Sequence, residues 1–433
     1  MIPELAAGNI GSDTIPSGVV IATEIDIQTP RAAIATRAFR VLISAGEASG
    51  ENYGAMLIPE LRKLLGSNTQ FFGVGGEKMR ARGCETVVDS AKVAAVGITE
   101  VVKHVVTIYR EFFRMVAVAR TLKPDVAVLI DFPDFNLRLA QKLHAIGVPV
   151  VYFVSPQLWA WKQRRIWRVK KFVDRMLVIF PFEQDYYRQR GVAAEYVGHP
   201  LADLALPQIA REEFAKQHGV NAAKPWIALL PGSRKKEVLL NLPVMLESAR
   251  RLGEGYEYLV PVASTLSRDW VAQQMSDTRV QLVDDARAAL LHSRAAVVAS
   301  GTATVEAALI GTPFVVVYRV SGLSYAIGRR LVKVKTFAMP NLIAGREIVP
   351  EFIQSNFTAE NILREMGRLI PSGAPRAEMV RNLQDVGRML HIQAGEPASF
   401  SQTAIARAAQ AAANMATRAS NRTPSEASEP LVP

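Results

Sequence analysis

Trp226-Ile227-Ala228-Leu229-Leu230-Pro231-Gly232-Ser233-Arg234-Lys235-Lys236-Glu237-Val238-Leu239-Leu240 passes from an unbroken apolar run, through a Pro-Gly turn, into a helix-compatible stretch. Strands covered on both faces look like the first part, and such strands belong to parallel sheets. The turn suits an anion. A helix start offers unpaired N–H groups at the positive end of its dipole, Gly232 lets the backbone approach, and Arg234 can grip phosphate oxygens with two parallel hydrogen bonds. Without a ligand, the same residues read as a strand-to-helix turn carrying an exposed arginine.

Outward from this stretch the pattern repeats. Arg40 to Ser44, Val126 to Ile130, Val148 to Val154, Met176 to Phe180, Ala295 to Ala299 and Phe314 to Val317 are apolar runs separated by longer amphipathic stretches. Such alternation builds βαβ units. Gly198-His199-Pro200-Leu201-Ala202-Asp203 separates two series of them, giving an α/β chain of two doubly wound halves. The expected organisation is a flexible extension over residues 1–38, a first Rossmann-like domain over 39–205, a second over 206–417 and a disordered tail over 418–433. Helical patterns at Ala359 to Leu369 and Ala377 to Leu390 either close the second domain or pack back on the first.

The length of 433 residues exceeds one hydrophobic core, in line with two domains. Cys84 is the single cysteine, so neither an internal disulfide nor a thiolate metal site is expected. No apolar stretch is long enough to span a bilayer, and residues 1–40 lack a signal core. The expected location is therefore cytoplasmic. A net charge of +11 points to an anionic partner without choosing among nucleotide, phospholipid and nucleic acid.

Three further turns carry candidate chemistry. Ser300-Gly301-Thr302-Ala303-Thr304 follows a strand and opens a helix, in which Glu306 can accept hydrogen bonds from a ribose diol or merely favour the helix start. Ile43 to Gly54 is Gly-rich, yet neither Gly46 with Gly50 nor Gly73-Val74-Gly75-Gly76 satisfies the dinucleotide fingerprint, and no P-loop occurs. At the carboxyl end of Val126 to Ile130 stands Asp131, a candidate general base, with Asp134 or Asn136 available to cap the following helix. Trp159 to Phe172 mixes aromatic and basic residues. Ile166, Val169 and Val173 share a core-facing side, which leaves Arg164, Arg165, Arg168, Lys170 and Lys171 for a membrane surface, an anionic substrate or plain solvation. No metal-ligand cluster or serine-hydrolase elbow appears, so no metal and no cofactor are expected.

Taken together, Ala45-Gly46-Glu47-Ala48-Ser49-Gly50, Asp131-Phe132-Pro133-Asp134-Phe135-Asn136, Ser155 to Trp161, Pro181-Phe182-Glu183, Gly198-His199-Pro200, Leu230 to Arg234, Ser300 to Ala303 and Pro340 to Glu347 closely resemble the lipid-A-disaccharide synthases. These are bacterial inverting glycosyltransferases of GT-B architecture, two Rossmann-like domains facing a cleft, with C-terminal helices. The resemblance covers residues 40–355. It implies a hexosyltransferase of lipid A synthesis that transfers sugar from UDP-2,3-diacylglucosamine to the 6-hydroxyl of 2,3-diacylglucosamine 1-phosphate, forming a β-1,6 disaccharide and UDP.

Carried over residue by residue, Asp131 and Arg234 become catalytic, as base and leaving-group stabiliser. Gly232, Ser233, Arg234, Ser300, Gly301, Thr302, Glu306 and Asn341 would meet the UDP-sugar, and Gly46, Ser49, Gly50 and Ser155 would line the acceptor side. Because both substrates are acylated, the resemblance implies a peripheral enzyme on the inner face of the inner membrane, touching anionic lipid through the basic residues named above or through Arg329 to Lys335. It implies no nucleic acid partner and is compatible with a homodimer. Glu51 and Gly75 depart from the family's usual Asp and Ala. Rival readings are another GT-B enzyme, such as a lipid-linked muropeptide transferase or a UDP-sugar epimerase, and a basic membrane- or RNA-binding protein without catalysis.

Overall fold

The structure, a computed structural model, describes residues 37–93, 98–275, 279–320, 336–392 and 403–421. The expected extension up to residue 36, the basic run Arg329 to Lys335 and the chain after residue 421 lie outside the described residues.

Two parallel sheets organise the chain. The first contains β1 (Arg40–Ala45), β2 (Gln70–Gly75), β3 (Cys84–Asp89), β4 (Val126–Ile130), β5 (Val150–Phe153), β6 (Arg175–Val178) and β7 (Ala194–Tyr196), in the order β3-β2-β1-β4-β5-β6-β7. The second contains β8 (Trp226–Leu230), β9 (Glu257–Pro261), β10 (Val280–Val283), β11 (Ala295–Ala299), β12 (Phe314–Tyr318) and β13 (Glu351–Ile353), in the order β10-β9-β8-β11-β12-β13. In both, strand order reverses beside the first strand of the half, between β1 and β4 and between β8 and β11. Ligands of doubly wound sheets bind at that reversal, beyond the carboxyl ends of the strands.

The helices that position the site are α1 (Ala48–Leu65), α2 (Ile98–Leu122), α3 (Pro133–His144), α4 (Ile166–Phe172), α5 (Pro181–Arg188), α6 (Lys235–Leu252), α7 (Thr302–Ile310), α8 (Met339–Ala344), α9 (Ala359–Leu369), α10 (Ala374–Leu390) and α11 (Ala404–Ser420). The last of them crosses over. α11 packs its alanine-rich face on α1 and β4 of the first half, which departs from the grouping of residues 206–417 expected above. Small side chains allow that close approach, and one connected core runs from Val128 and Ile130 through Ala412 to Leu230 and Val298. The helix also continues past residue 418, where a disordered tail was expected.

The segment between the halves is fastened to the C-terminal helices. His199 N–H donates to the Leu390 carbonyl at 3.1 Å, Tyr196 Oη donates to the Met389 carbonyl at 2.8 Å, and Ala404 N–H donates to the Asp203 carboxylate at 2.6 Å.

Candidate active site

Asp131 follows β4 at the reversal point of the first sheet. It and Phe132 are consecutive non-glycine residues with φ of 45° and 49°. Each such left-handed residue costs about 1–3 kcal/mol and persists only where its surroundings over-determine it. Asn136 supplies much of that constraint. Fully buried, it donates to the carbonyls of Asp131 at 2.8 Å and of Ile130 and Ser44 at 3.2 Å, while accepting from Ser44 Oγ at 2.7 Å. Tyr152 Oη donates to the same Asp131 carbonyl at 2.6 Å. Asn136 thus ties the ends of β1 and β4 together instead of capping α3, whose N-cap, Phe132, makes no side-chain cap bond. Gly46 completes the turn: a Cβ there would lie 2.3 Å from the Phe132 ring.

The Asp131 carboxyl is pushed up to about 7, chiefly by burial and then by the charge of Glu47, with Glu183 adding to the rise and Arg234 opposing it. A carboxylate poised there serves as a base at neutral pH. Asp134 behaves differently. It pairs with Arg165 and with Lys162, and Arg165 draws its carboxyl below the usual range despite partial burial.

Glu183 opens α5 and is buried. It accepts from Ser155 Oγ at 2.7 Å, Trp159 Nε1 at 3.1 Å and Phe180 N–H at 3.2 Å, and burial lifts its carboxyl to about 7. Ser155, expected on the acceptor side of the cleft, is consumed by this bond. The bond fastens the loop after β5, where Val154 sits at φ 62°.

Across the cleft, β8 delivers the Gly232-Ser233-Arg234 turn. Arg234 Nη2 meets Glu47 Oε2 at 3.0 Å, an ion pair joining the two reversal points. The two side chains are 54% and 42% exposed, so the pair contributes no more than about 1 kcal/mol and gives way readily to a stronger anion. The turn's own donors are already engaged. Ser233 N–H and Arg234 N–H donate to Glu237 Oε2 at 2.9 and 3.3 Å, as in a capping box. Gly232, at φ 120°, admits that carboxylate, since a Cβ would lie 2.4 Å from it.

The companion turn differs. Gly301, at φ 143°, is the N-cap of α7 and no side chain caps that helix start, so the first N–H groups of α7 are not taken up by a capping carboxylate or hydroxyl. Ser300, Gly301 and Thr302 are accessible, and the Glu306 carboxyl is raised, mainly by burial. Thr302 and Glu306 share a cavity of about 460 Å³ with Ser49, Asn52 and Tyr53 of α1. Gly50, by contrast, is buried with Ile130 in ordinary contact below it. Asn341, expected at the donor sugar, is turned inward. It donates to Val349 O at 2.9 Å and Glu351 Oε1 at 2.7 Å and accepts from Ile348 N–H and Val349 N–H, which fills its hydrogen-bonding capacity inside the loop before β13.

The sequence profile of the lipid-A-disaccharide synthetase family matches residues 41–398. The chain belongs to that family. It is 54% identical to the lipid-A-disaccharide synthase of Koribacter versatilis over 383 residues, covering 88% of this chain and 99% of that one. Against the synthase of Myxococcus xanthus the identity is 44%, over 81% of this chain and 93% of that one. Among solved structures, the calicheamicin glycosyltransferase CalG4 superposes with a TM-score of 0.54 at 14% identity, covering 88% and 99% of the two chains. The kitacinnamycin glycotransferase gives 0.56 at 14% identity, again covering 88% and 99%. The family member is therefore a glycosyltransferase of lipid A disaccharide synthesis, and its fold is GT-B.

Glu47, Glu183 and Glu237 were not singled out from sequence. Glu237 and Glu183 each carry a local signal, a glutamate three residues after a helix N-cap, Arg234 and Phe180. Glu47 becomes a candidate through its contact with the distant Arg234, and Glu183 gains its other partners, Ser155 and Trp159, by folding. Among the basic residues, Arg164, Lys170 and Lys171 are exposed, Arg168 is half-buried beside the exposed Trp167, and Arg165 is committed to Asp134. A second surface escaped the sequence reading: Val105, Val106, Tyr109 and Phe113 form an exposed apolar face on α2. Among the described residues, no helix is long and apolar enough to cross a membrane.

Proposed function

We propose that the protein joins UDP-2,3-diacylglucosamine to 2,3-diacylglucosamine 1-phosphate by a single inverting displacement. The acceptor's 6-hydroxyl oxygen forms a bond to the donor's anomeric carbon as the bond from that carbon to the UDP oxygen breaks. The hydroxyl proton passes to Asp131, and the departing diphosphate takes the electron pair and its charge. Arg234 and the N–H groups at the start of α7 stabilise that charge, Glu306 accepts from the ribose diol, and Asn341 acts indirectly by holding its loop. The observation that carries this reading is the facing of the two reversal points, with a raised carboxylate at one and an arginine at the other, linked through Glu47.

Electrostatic stabilisation of a leaving group and alignment of two bound substrates suffice in kind for such a transfer. The Arg164, Arg168, Lys170 and Lys171 surface, together with the apolar face of α2, supports docking on an anionic bilayer, since each basic residue near such a surface contributes about 1 kcal/mol. The test is to incubate the purified protein with both acylated substrates and follow products by mass spectrometry and NMR. UDP and a β-1,6 disaccharide appearing in equal amounts, only when both substrates are present, is the expected result. UDP release without disaccharide, or an epimerised UDP-sugar, overturns the reading.

A further inference from the structure

The cavity beside Glu306 extends away from the reacting centre and changes character along its length. Tyr53 forms part of its wall and lies near enough to both Glu306 and Asp131 that their charges add to the effect of burial on its phenol. At that end the neighbouring ionisable groups are carboxylates. Away from it, Met56 and Leu204 make an apolar wall, and Lys78 and Arg82, both exposed, supply the positive charge. Lys78 Nζ donates to Asn52 Oδ1 at 2.7 Å, and among the described residues neither Lys78 nor Arg82 is paired with a carboxylate. The nearby Glu51 is instead held by the Lys78 backbone N–H at 2.8 Å.

We propose that Lys78 and Arg82 form the subsite for the phosphate of the acceptor sugar. The inference rests on the proposed function and adds the direction in which the acceptor lies. In a glucosamine 1-phosphate, the anomeric phosphate on C1 and the hydroxymethyl on C5 flank the ring oxygen as separate arms, so one can face a base while the other faces cations. Carboxylates near Asp131 repel the phosphate end, while the lysine and arginine draw it outward, leaving the 6-hydroxyl toward the base. Met56 and Leu204, on the same cavity wall, give an apolar surface to the acyl chain on C2, the carbon next to the one that bears the phosphate. The cavity thereby distinguishes acceptor from donor, whose diphosphate is taken by Arg234 on the opposite side.

The test compares the parent with a Lys78→Gln/Arg82→Gln variant in neutral detergent, where no anionic headgroup competes. Each is assayed with the phosphorylated acceptor and with the same acylated sugar lacking its phosphate. The variant's KM for the phosphorylated acceptor should rise about 10-fold or more, as for loss of hydrogen bonds to a charged group. Donor KM should stay at the parental value, the unphosphorylated acceptor should be used equally by both proteins, and Lys78→Arg/Arg82→Lys should restore the parental KM. An unchanged acceptor KM, or an equal penalty on both acceptors, overturns the subsite while leaving the proposed function standing. A parent that makes no disaccharide from either acceptor overturns both.

Discussion

The Asp131 turn shows how a candidate site residue is positioned by the groups packed around it. Two left-handed residues in sequence are tolerated because Asn136 and Tyr152 anchor the turn through hydrogen bonds to the Asp131 backbone and its neighbours. The raised carboxyl has a direct kinetic consequence. A base must be deprotonated to act, so kcat/KM should fall about tenfold per unit as pH drops below about 7, the value to which burial, Glu47 and Glu183 push the group against the pull of Arg234. A profile that stays flat down to pH 5 contradicts this, because an ordinary carboxylate titrates near 4. Glu237 makes a second residue-scale prediction. Its carboxylate occupies donors that a diphosphate would use, so Glu237→Gln, which keeps an acceptor but removes the charge, should tighten UDP binding several-fold by calorimetry. An unchanged or weaker affinity assigns Glu237 to helix capping alone.

At the scale of elements, α4 with the 3-10 turn Gln163–Arg165 before it, and α2, present the surfaces expected to meet lipid. Charge reversal at Arg164 and Arg168 should reduce sedimentation with anionic liposomes, and serine at Val106 and Phe113 should reduce it further; unchanged sedimentation in both cases removes these helices from the membrane face. Arg165 is left out because it pairs with Asp134. Burial decides which strands are legible in the sequence. β4, β8 and β11 have every residue buried, and their apolar runs mark them from end to end. β3, β7, β10 and β13 lie at sheet edges with mixed burial, where partial solvent exposure selects polar residues that blur the pattern, and the reading does not reach them; nor does it reach β2 and β9, buried beyond their first residue, whose runs are interrupted by Gly73 and closed by Pro261. α9 was legible to the residue, through its sharply one-sided apolar face. At the site, turns contiguous in sequence were visible, whereas Asn136 spanning β1 and β4, and Glu183 gathering Ser155 and Trp159, depend on segments brought together only by folding.

Across the whole molecule, the two halves share a core and a C-terminal helix that returns to the first sheet, so the facing turns are held by the packing of the entire chain. The exposed Arg234–Glu47 pair bridges them without locking them, as the proposed entry of two acylated sugars requires. In the proposed reaction this bridge brings a base and a leaving-group stabiliser to one centre. The most direct measurement is the rate of disaccharide formation by Asp131→Asn with donor affinity measured in parallel. A fall of about 100-fold or more with donor binding retained is the predicted result, matching the loss of a general base; disaccharide formed at the parental rate contradicts it.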